Sequence, residues 1–175
     1  MGGLLVKVTK MHALGNNYIY VNEFEEDLQN VNLPGLARTV SDVRKGIGSD
    51  GLILIRPSGR AEVGMRIFNA DGSEAETCGN GLRCVAKYAY EHGLVQTQNF
   101  HIDTKAGVVG AQVHVDGDQV TSVTIDMGEA QFGTAVTHYV GPVGREHEVT
   151  VAAGDESVRG MLVSMGNPHF VSFVK

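Results

Sequence analysis

The chain predicts an α+β fold: a curled mixed sheet, closed like a β-barrel, wrapped around one central helix. Three observations carry this reading. Short strand-like runs, alternating or wholly apolar, recur from one end of the sequence to the other. Glycine reaches 23 of 175 residues, about 13% against an ordinary ~7%, and it falls at punctuated turn positions rather than in a low-complexity block. One helical run is apolar on nearly every side, so other elements must wrap it, and the strands are the candidates.

The elements follow in order. Residues 4–8, Leu-Leu-Val-Lys-Val, open an alternating strand, His12–Asn17 reads as a polar loop, and Tyr18–Val21 is the return strand of a hairpin. Leu33, Leu36, Ala37, Val40 and Val43 recur at helical spacing, which predicts an amphipathic helix over Leu33–Arg44 with Pro34 tolerated in its first turn. Gly51–Ile55 is a continuous apolar run, a buried strand. Val63, Met65 and Ile67 alternate into a strand ending at Phe68, and Asn69–Ser73 is a turn. Leu82–Glu91 is a helix stopped by Gly93. Its polar residues Arg83, Lys87 and Glu91 make one narrow stripe, and apolar residues fill the other directions. Phe100–Asp103, Val108–Val115 and Val120–Met127 form a meander, with a turn at Asp116–Asp118. Further strands are expected near Thr137–Val140, His147–Val151, Met161–Met165 and Phe170–Val174.

Composition excludes several classes. The net charge of −6 repels phosphate, so no nucleic-acid partner is expected. Hydrophobic residues at 42% and charged residues at 19% fit a folded globular chain rather than a disordered one. No apolar run approaches the roughly 20 residues of a membrane helix, and the first residues, MGGLLVKVTK, do not read as a secretory signal. Two cysteines, Cys78 and Cys84, cannot build a disulfide framework, so the expected location is the cytoplasm.

Gly46-Ile-Gly-Ser-Asp-Gly51 matches the dinucleotide fingerprint, but here a helix precedes it and a strand follows. The helix N-terminus that would hold a pyrophosphate is therefore missing, and a helix C-cap at Gly46 followed by a tight loop is the reading that remains. No metal-binding spacing is present, and no metal or cofactor is expected. The informative stretch runs from Arg66 to Cys84. There a strand and turn lead to Cys78, then Gly79-Asn80-Gly81, then the buried helix. A thiol just before a helix N-terminus meets free N–H groups and the positive end of the helix dipole. Such a thiol can serve as an acid/base or nucleophilic group, and the amides of Gly79, Asn80 and Gly81 can hold a carboxylate. A lone cysteine is more often a buried small hydrophobe, and Cys84, inside the helix beside Val85, reads that way. Asn16, Asn17 and Asn167 are ordinary turn formers taken singly. Asn167, Pro168 and His169 together on one tight loop point further toward function.

Four segments taken together resemble the diaminopimelate epimerase family: Lys10–Asn16, Arg66–Ser73, Cys78–Cys84 and Ser164–His169. The resemblance runs in the right order along the whole chain. It implies two similar halves, each a curled sheet around a central helix, and racemisation at an α-carbon without pyridoxal phosphate or metal. One cysteine from each half faces the substrate. One, as thiolate, removes the α-proton, and the other, as thiol, delivers a proton to the opposite face. Carried onto this sequence, the resemblance makes Cys78 the catalytic thiol of the first half. It makes Asn16, Asn69 and Asn167 polar ligands of the substrate, Gly79 and Asn80 the amide cradle, and His169 the residue that tunes the thiols. The implied substrate is 2,6-diaminopimelate, interconverted between LL and meso forms, and a homodimer is compatible with the resemblance.

Two positions depart from the family pattern: Ala13 after His12, and Gly51 where many members carry Gln or a similar side chain. A larger departure is that no cysteine follows Cys84. The expected organisation is therefore a first domain over 1–127, with its central helix at 80–92, and the start of a second domain over 128–175. The second thiol must come from a C-terminal half, and the 175 residues alone are expected to lack two-base epimerisation. Two other readings stand beside this one: another cofactor-independent isomerase of the same fold, of proline racemase or phenazine-biosynthesis type, or a non-catalytic half that binds a ligand or a partner chain.

Overall fold

A computed structural model describes residues 5–134, 137, 139–141, 144, 148–154 and 156–173. They fall into two compact units, Met1–Asp126 and Met127–Lys175. The first contains β1 (Thr9–Ala13), β2 (Asn16–Asn22), α1 (Leu33–Ser41), β3 (Gly51–Arg56), β4 (Val63–Asn69), β5 (Glu74–Ala75), α2 (Gly79–Glu91), β6 (Asn99–Thr104), β7 (Gly107–Asp116) and β8 (Gln119–Ile125). Its strands join one eight-stranded sheet in the order β1-β2-β3-β4-β6-β7-β8, with β5 paired to β4. The β2–β3 and β4–β6 pairs are parallel and the others antiparallel, so the sheet is mixed.

The two end strands of this order, β1 and β8, both pack on α2, as do β2, β3, β4 and β7. A sheet whose opposite edges touch one helix has curled around it, which is the architecture the apolar helix demands. Leu82, Cys84, Val85, Ala86, Tyr88 and Ala89 are buried on α2. The polar stripe lies in the seam between the two edges, a cleft lined by His12, Leu14, Lys87 and Val120 among others. There Lys87 Nζ donates to Glu91 Oε1 at 2.6 Å and to the Val120 carbonyl at 2.9 Å, and Glu91 Oε1 accepts the Val120 N–H at 3.0 Å.

The outer face of the sheet is covered by α1. Leu52, Leu54, Ile19, Val21 and Phe68 cluster there with Ala37, and Leu33, Leu36 and Val40 pack against them. Ile53 points the other way, toward Gly81 of α2. This explains why Leu52–Ile55 is apolar without alternation: this part of β3 is covered on both faces and fully buried.

Several boundaries differ from the sequence expectation. Leu4 lies outside the described residues, and the first strand occupies Thr9–Ala13 rather than 4–8. The hairpin turn is only Leu14-Gly15, with φ of +53° and +85°, a two-residue turn whose twist matches the strands. His12 and Asn17 are therefore ladder partners, as are Ala13 and Asn16. The first helix ends at Ser41, not Arg44. The Asp42 carboxylate accepts the N–H groups of Arg44 and Lys45 at 2.7 and 3.0 Å, and this local turn displaces the next helical turn. Asp42 is thus the C-cap, and the expected cap at Gly46 is not formed. Gly46 serves close packing instead: a Cβ there would lie 2.1 Å from the Thr39 carbonyl.

The second unit contains β9 (Gln131–Phe132), β10 (Glu148–Ala153), β11 (Glu156–Ser164) and β12 (Pro168–Val171) in a four-stranded antiparallel sheet. The strand expected at His147–Val151 is β10, with His147 outside the described residues. That expected at Met161–Met165 is the end of a longer β11, which stops at Ser164, one residue short of Met165, and which turns back from β10 through Gly154 at φ +66°. The strand expected at Phe170–Val174 begins earlier, at Pro168, where its ladder with Ser164 starts, and Val174 lies outside the described residues. Thr137, Tyr139 and Val140 are not in a strand, and His138 lies outside the described residues. Thr137 instead closes a tight turn, its hydroxyl donating to the Gly133 carbonyl at 2.9 Å. Among the described residues, no helix is long and apolar enough to cross a membrane.

Candidate functional site

Cys78 is the N-cap of α2, with extended backbone at φ −153° and ψ 110°. Its Sγ accepts the Gly81 N–H at 3.4 Å, and its carbonyl accepts the Leu82 N–H at 2.8 Å. The N–H groups of Gly79 and Asn80 lie ahead of the first intrahelical bond, the position where a helix can take an anion. Gly81 packs closely on β3: a Cβ there would stand 2.7 Å from Ile53 Cδ1, and the end of that side chain would have to shift. Gly81 thus lets the helix start sit close to β3.

The sheet brings asparagines to this sulfur. β2 runs parallel to β3 with Ile19 beside Leu52, so Asn16 and Asn17 lie next to Asp50, just before β3. Cys78 Sγ donates to Asn16 Oδ1 at 3.6 Å, and Asn80 Nδ2 donates to the same oxygen at 3.5 Å. Asn16 Nδ2 donates to Asp50 Oδ2 at 2.9 Å. Arg83 donates to Asn80 Oδ1. Asn69 closes β4 opposite Gly51, at the same end of the sheet. Its Nδ2 donates to Ser73 Oγ at 3.0 Å inside a loop pinned by Asp71, whose carboxylate takes the Ser73 hydroxyl and N–H at 2.6 and 2.8 Å.

Asn167 and His169 are in the second unit. His169 Nε2 meets Asn167 Oδ1 at 3.0 Å, across a turn with Gly166 at φ +91°. Both side chains are exposed. The structure thus joins Cys78 and Asn80 to Asn16 by hydrogen bonds, with Gly79 between the first two in the chain, sets Asn69 at the same end of the sheet, and pairs Asn167 with His169 within the second unit.

The sequence reading missed Asp50, Arg83 and Tyr18. Asp50 was hidden inside the apparent dinucleotide motif, where the only local signal is its place directly before a buried strand. Tyr18 is 6% exposed. Burial, with Cys78 beside it, pushes its phenol up to about 12, against an ordinary value near 10. The unfolded phenol ionises first, so its stabilising contribution is complete below pH 10 and is lost as pH rises toward 12. Denaturation midpoints measured across that interval are expected to fall more steeply in the wild type than in Tyr18→Phe. Equal slopes would refute the assignment. Among the described residues, no group of three or more His, Cys, Asp or Glu side chains is placed to hold a metal.

Comparison with known proteins follows the same lines. The family model described as diaminopimelate epimerase matches residues 8–133. Curated relatives named diaminopimelate epimerase include that of Bacillus licheniformis, 55% identical over 170 residues and covering 96% of this chain and 59% of the relative. That of Bacillus subtilis is 54% identical, covering 94% and 58%, and that of Geobacillus thermodenitrificans is 53% identical, covering 95% and 58%. The chain therefore spans less than two thirds of the length of these relatives. Among solved structures, a hydroxyproline epimerase from Agrobacterium vitis aligns with a TM-score of 0.65 at 17% identity, covering 94% of this chain and 50% of that one. A probable proline racemase from Agrobacterium radiobacter aligns at 0.69 and 14%, covering 96% and 52%. The curled sheet around a central helix is thus the fold shared with these epimerase and racemase structures. Within that class, the chain belongs to the diaminopimelate epimerase family.

Gly51 opens β3 opposite Asn69. A Cβ there would lie 2.1 Å from the Phe68 carbonyl, so the position is a site of close strand packing in this chain.

Proposed function

We propose that this chain supplies the first half of the active site of a cofactor-independent isomerase that interconverts LL- and meso-2,6-diaminopimelate. The observation that carries the reading is the thiol of Cys78 at the N-terminus of the buried helix, ringed by Asn16 and Asn80. Family membership over residues 8–133 supports the substrate.

In this reading the amino-acid carboxylate rests on the first-turn N–H groups of Gly79 and Asn80, which cancels charge that would otherwise oppose carbanion formation at the α-carbon. Asn16, Asn69 and Asn167 bind the polar ends of the substrate, and His169 sets the protonation of the thiols. Cys78 exchanges a proton with one face of the α-carbon. A second thiol serves the opposite face. The chain spans 58% of the length of the Geobacillus thermodenitrificans relative, and in this reading the second thiol lies in the part it does not span. In one turnover the thiolate takes the α-proton and becomes a thiol, while the opposite thiol gives up its proton and becomes a thiolate. The configuration inverts with no net redox change.

The test is substrate choice in deuterium oxide. The intact protein containing this chain is expected to form meso-diaminopimelate carrying deuterium at the α-carbon from the LL isomer, and to leave L-proline unexchanged. Racemisation of proline without turnover of diaminopimelate would replace this reading with the proline racemase type. The 175-residue chain on its own is expected to give no two-base epimerisation.

A further inference from the structure

Four side chains beside Cys78 form a hydrogen-bond chain that runs in one direction. The Arg83 guanidinium donates to Asn80 Oδ1, Asn80 Nδ2 donates to Asn16 Oδ1 at 3.5 Å, and Asn16 Nδ2 donates to Asp50 Oδ2 at 2.9 Å. A cation starts the chain and an anion ends it. The order fixes both amides. Turning Asn16 over would put its carbonyl oxygen against the Asp50 carboxylate, and turning Asn80 over would put its NH2 against the guanidinium; each exchange replaces attraction by repulsion. Hydrogen bonds aligned this way also strengthen one another.

Asp50 is well built for its part. One of its oxygens accepts three N–H groups: Asn16 Nδ2, the Asn17 N–H at 2.7 Å and Asn17 Nδ2 at 3.3 Å. Its own backbone is tied on both sides, the N–H donating to the Asn17 carbonyl at 2.8 Å and the carbonyl accepting the Ala70 N–H at 3.0 Å. Because Asp50 is exposed, its hold on Asn16 comes from these bonds and not from burial.

We infer that Asp50 and Arg83 are positioning residues, which fix the Asn16 amide so that its carbonyl oxygen, and not its NH2, faces the sulfur of Cys78. Neither touches the sulfur. Their effect is on what the sulfur meets: an acceptor for its S–H, so the proton on Cys78 is held in a defined direction until the substrate engages. The inference deepens the proposed function and, for its kinetic readout, rests on it.

The experiment uses the intact enzyme and reads two quantities. The first is the rate at which iodoacetamide alkylates Cys78 without substrate, with the label located by mass spectrometry; this readout is independent of which amino acid is turned over. Asp50→Ala is expected to raise it about threefold or more, because a freed amide can turn its NH2 to the sulfur and favour the reactive thiolate. Arg83→Ala is expected to shift it the same way and carries the test if Asp50→Ala does not fold. Asp50→Asn still presents an oxygen to Asn16 and is expected to stay near the wild-type rate. The second quantity is kcat for diaminopimelate. It should fall about tenfold in Asp50→Ala, the size of one charge-assisted hydrogen bond, with KM little changed. The same substitution should add nothing in an Asn16→Ala background. Three results would overturn the inference: unchanged alkylation in both Asp50→Ala and Arg83→Ala, an Asp50→Asn rate equal to that of Asp50→Ala, or a full kcat loss from Asp50→Ala when Asn16 is already alanine. If diaminopimelate is not turned over at all, the proposed substrate fails while the alkylation rates still decide the role of the clamp.

Discussion

Cys78→Ala is expected to lower diaminopimelate turnover by the intact enzyme about 10²–10⁴-fold, the contribution of one general acid/base group, while Cys84→Ala leaves kcat within about twofold of wild type. The two cysteines are six residues apart on the same element, but their surroundings differ in kind. Cys78 caps the helix, is half-exposed, and its sulfur both accepts an N–H and donates to Asn16. Cys84 is buried inside the helix, and burial pushes its thiol up, so it stays neutral near pH 7. The Cys84 variant is expected to cost about 1 kcal/mol of stability, from the small void left against Tyr20 and the strands. Steady-state turnover together with thermal unfolding separates these effects. Equal loss in both variants would mean that the helix start has no special chemistry.

What was legible beforehand was the information carried locally. The unbroken apolar run in β3 and the nearly all-round apolar surface of α2 report burial directly, and a layered fold with a wrapped helix follows from them. Cys78 was legible because a thiol, two glycines and a helix start are neighbours in sequence. Asp50 was not. Its three hydrogen bonds join residues far apart in sequence, and they exist only because β2 and β3 pair in parallel with one register. Local backbone choices also escaped the periodic pattern. Val43 has the spacing of a helical residue, yet Asp42 bonds its own neighbours and ends the helix first. The loop at His12–Asn17 was legible as a loop but not in its length: Leu14 and Gly15 alone make the turn, at φ +53° and +85°, and the residues on either side continue the ladder.

Gly51→Ala is expected to be among the most damaging single-atom additions in the first unit, costing about 3 kcal/mol. The added Cβ would stand 2.1 Å from the Phe68 carbonyl, 2.9 Å from Tyr18 Cε1 and 3.1 Å from Asn69 Cα. Two of these are backbone atoms of the paired strand β4, and they cannot withdraw without opening the ladder in which Gly51 faces Asn69. Relief must come from separating β3 and β4 or displacing Tyr18, and either movement disturbs the end of the sheet that holds Asn69 and the surroundings of Cys78. Loss of turnover should therefore exceed what the fall in folded fraction explains. The same geometry means that Gly51→Gln, with a longer side chain on the same Cβ, would disrupt this chain as well. Gly59→Ala is the control: no atom lies within 4 Å of its added Cβ, and its effect should stay within about 0.5 kcal/mol. Urea denaturation of the three variants beside the wild type checks the order. A Gly51→Ala midpoint equal to that of Gly59→Ala would show that β3 and β4 can part at this point without cost.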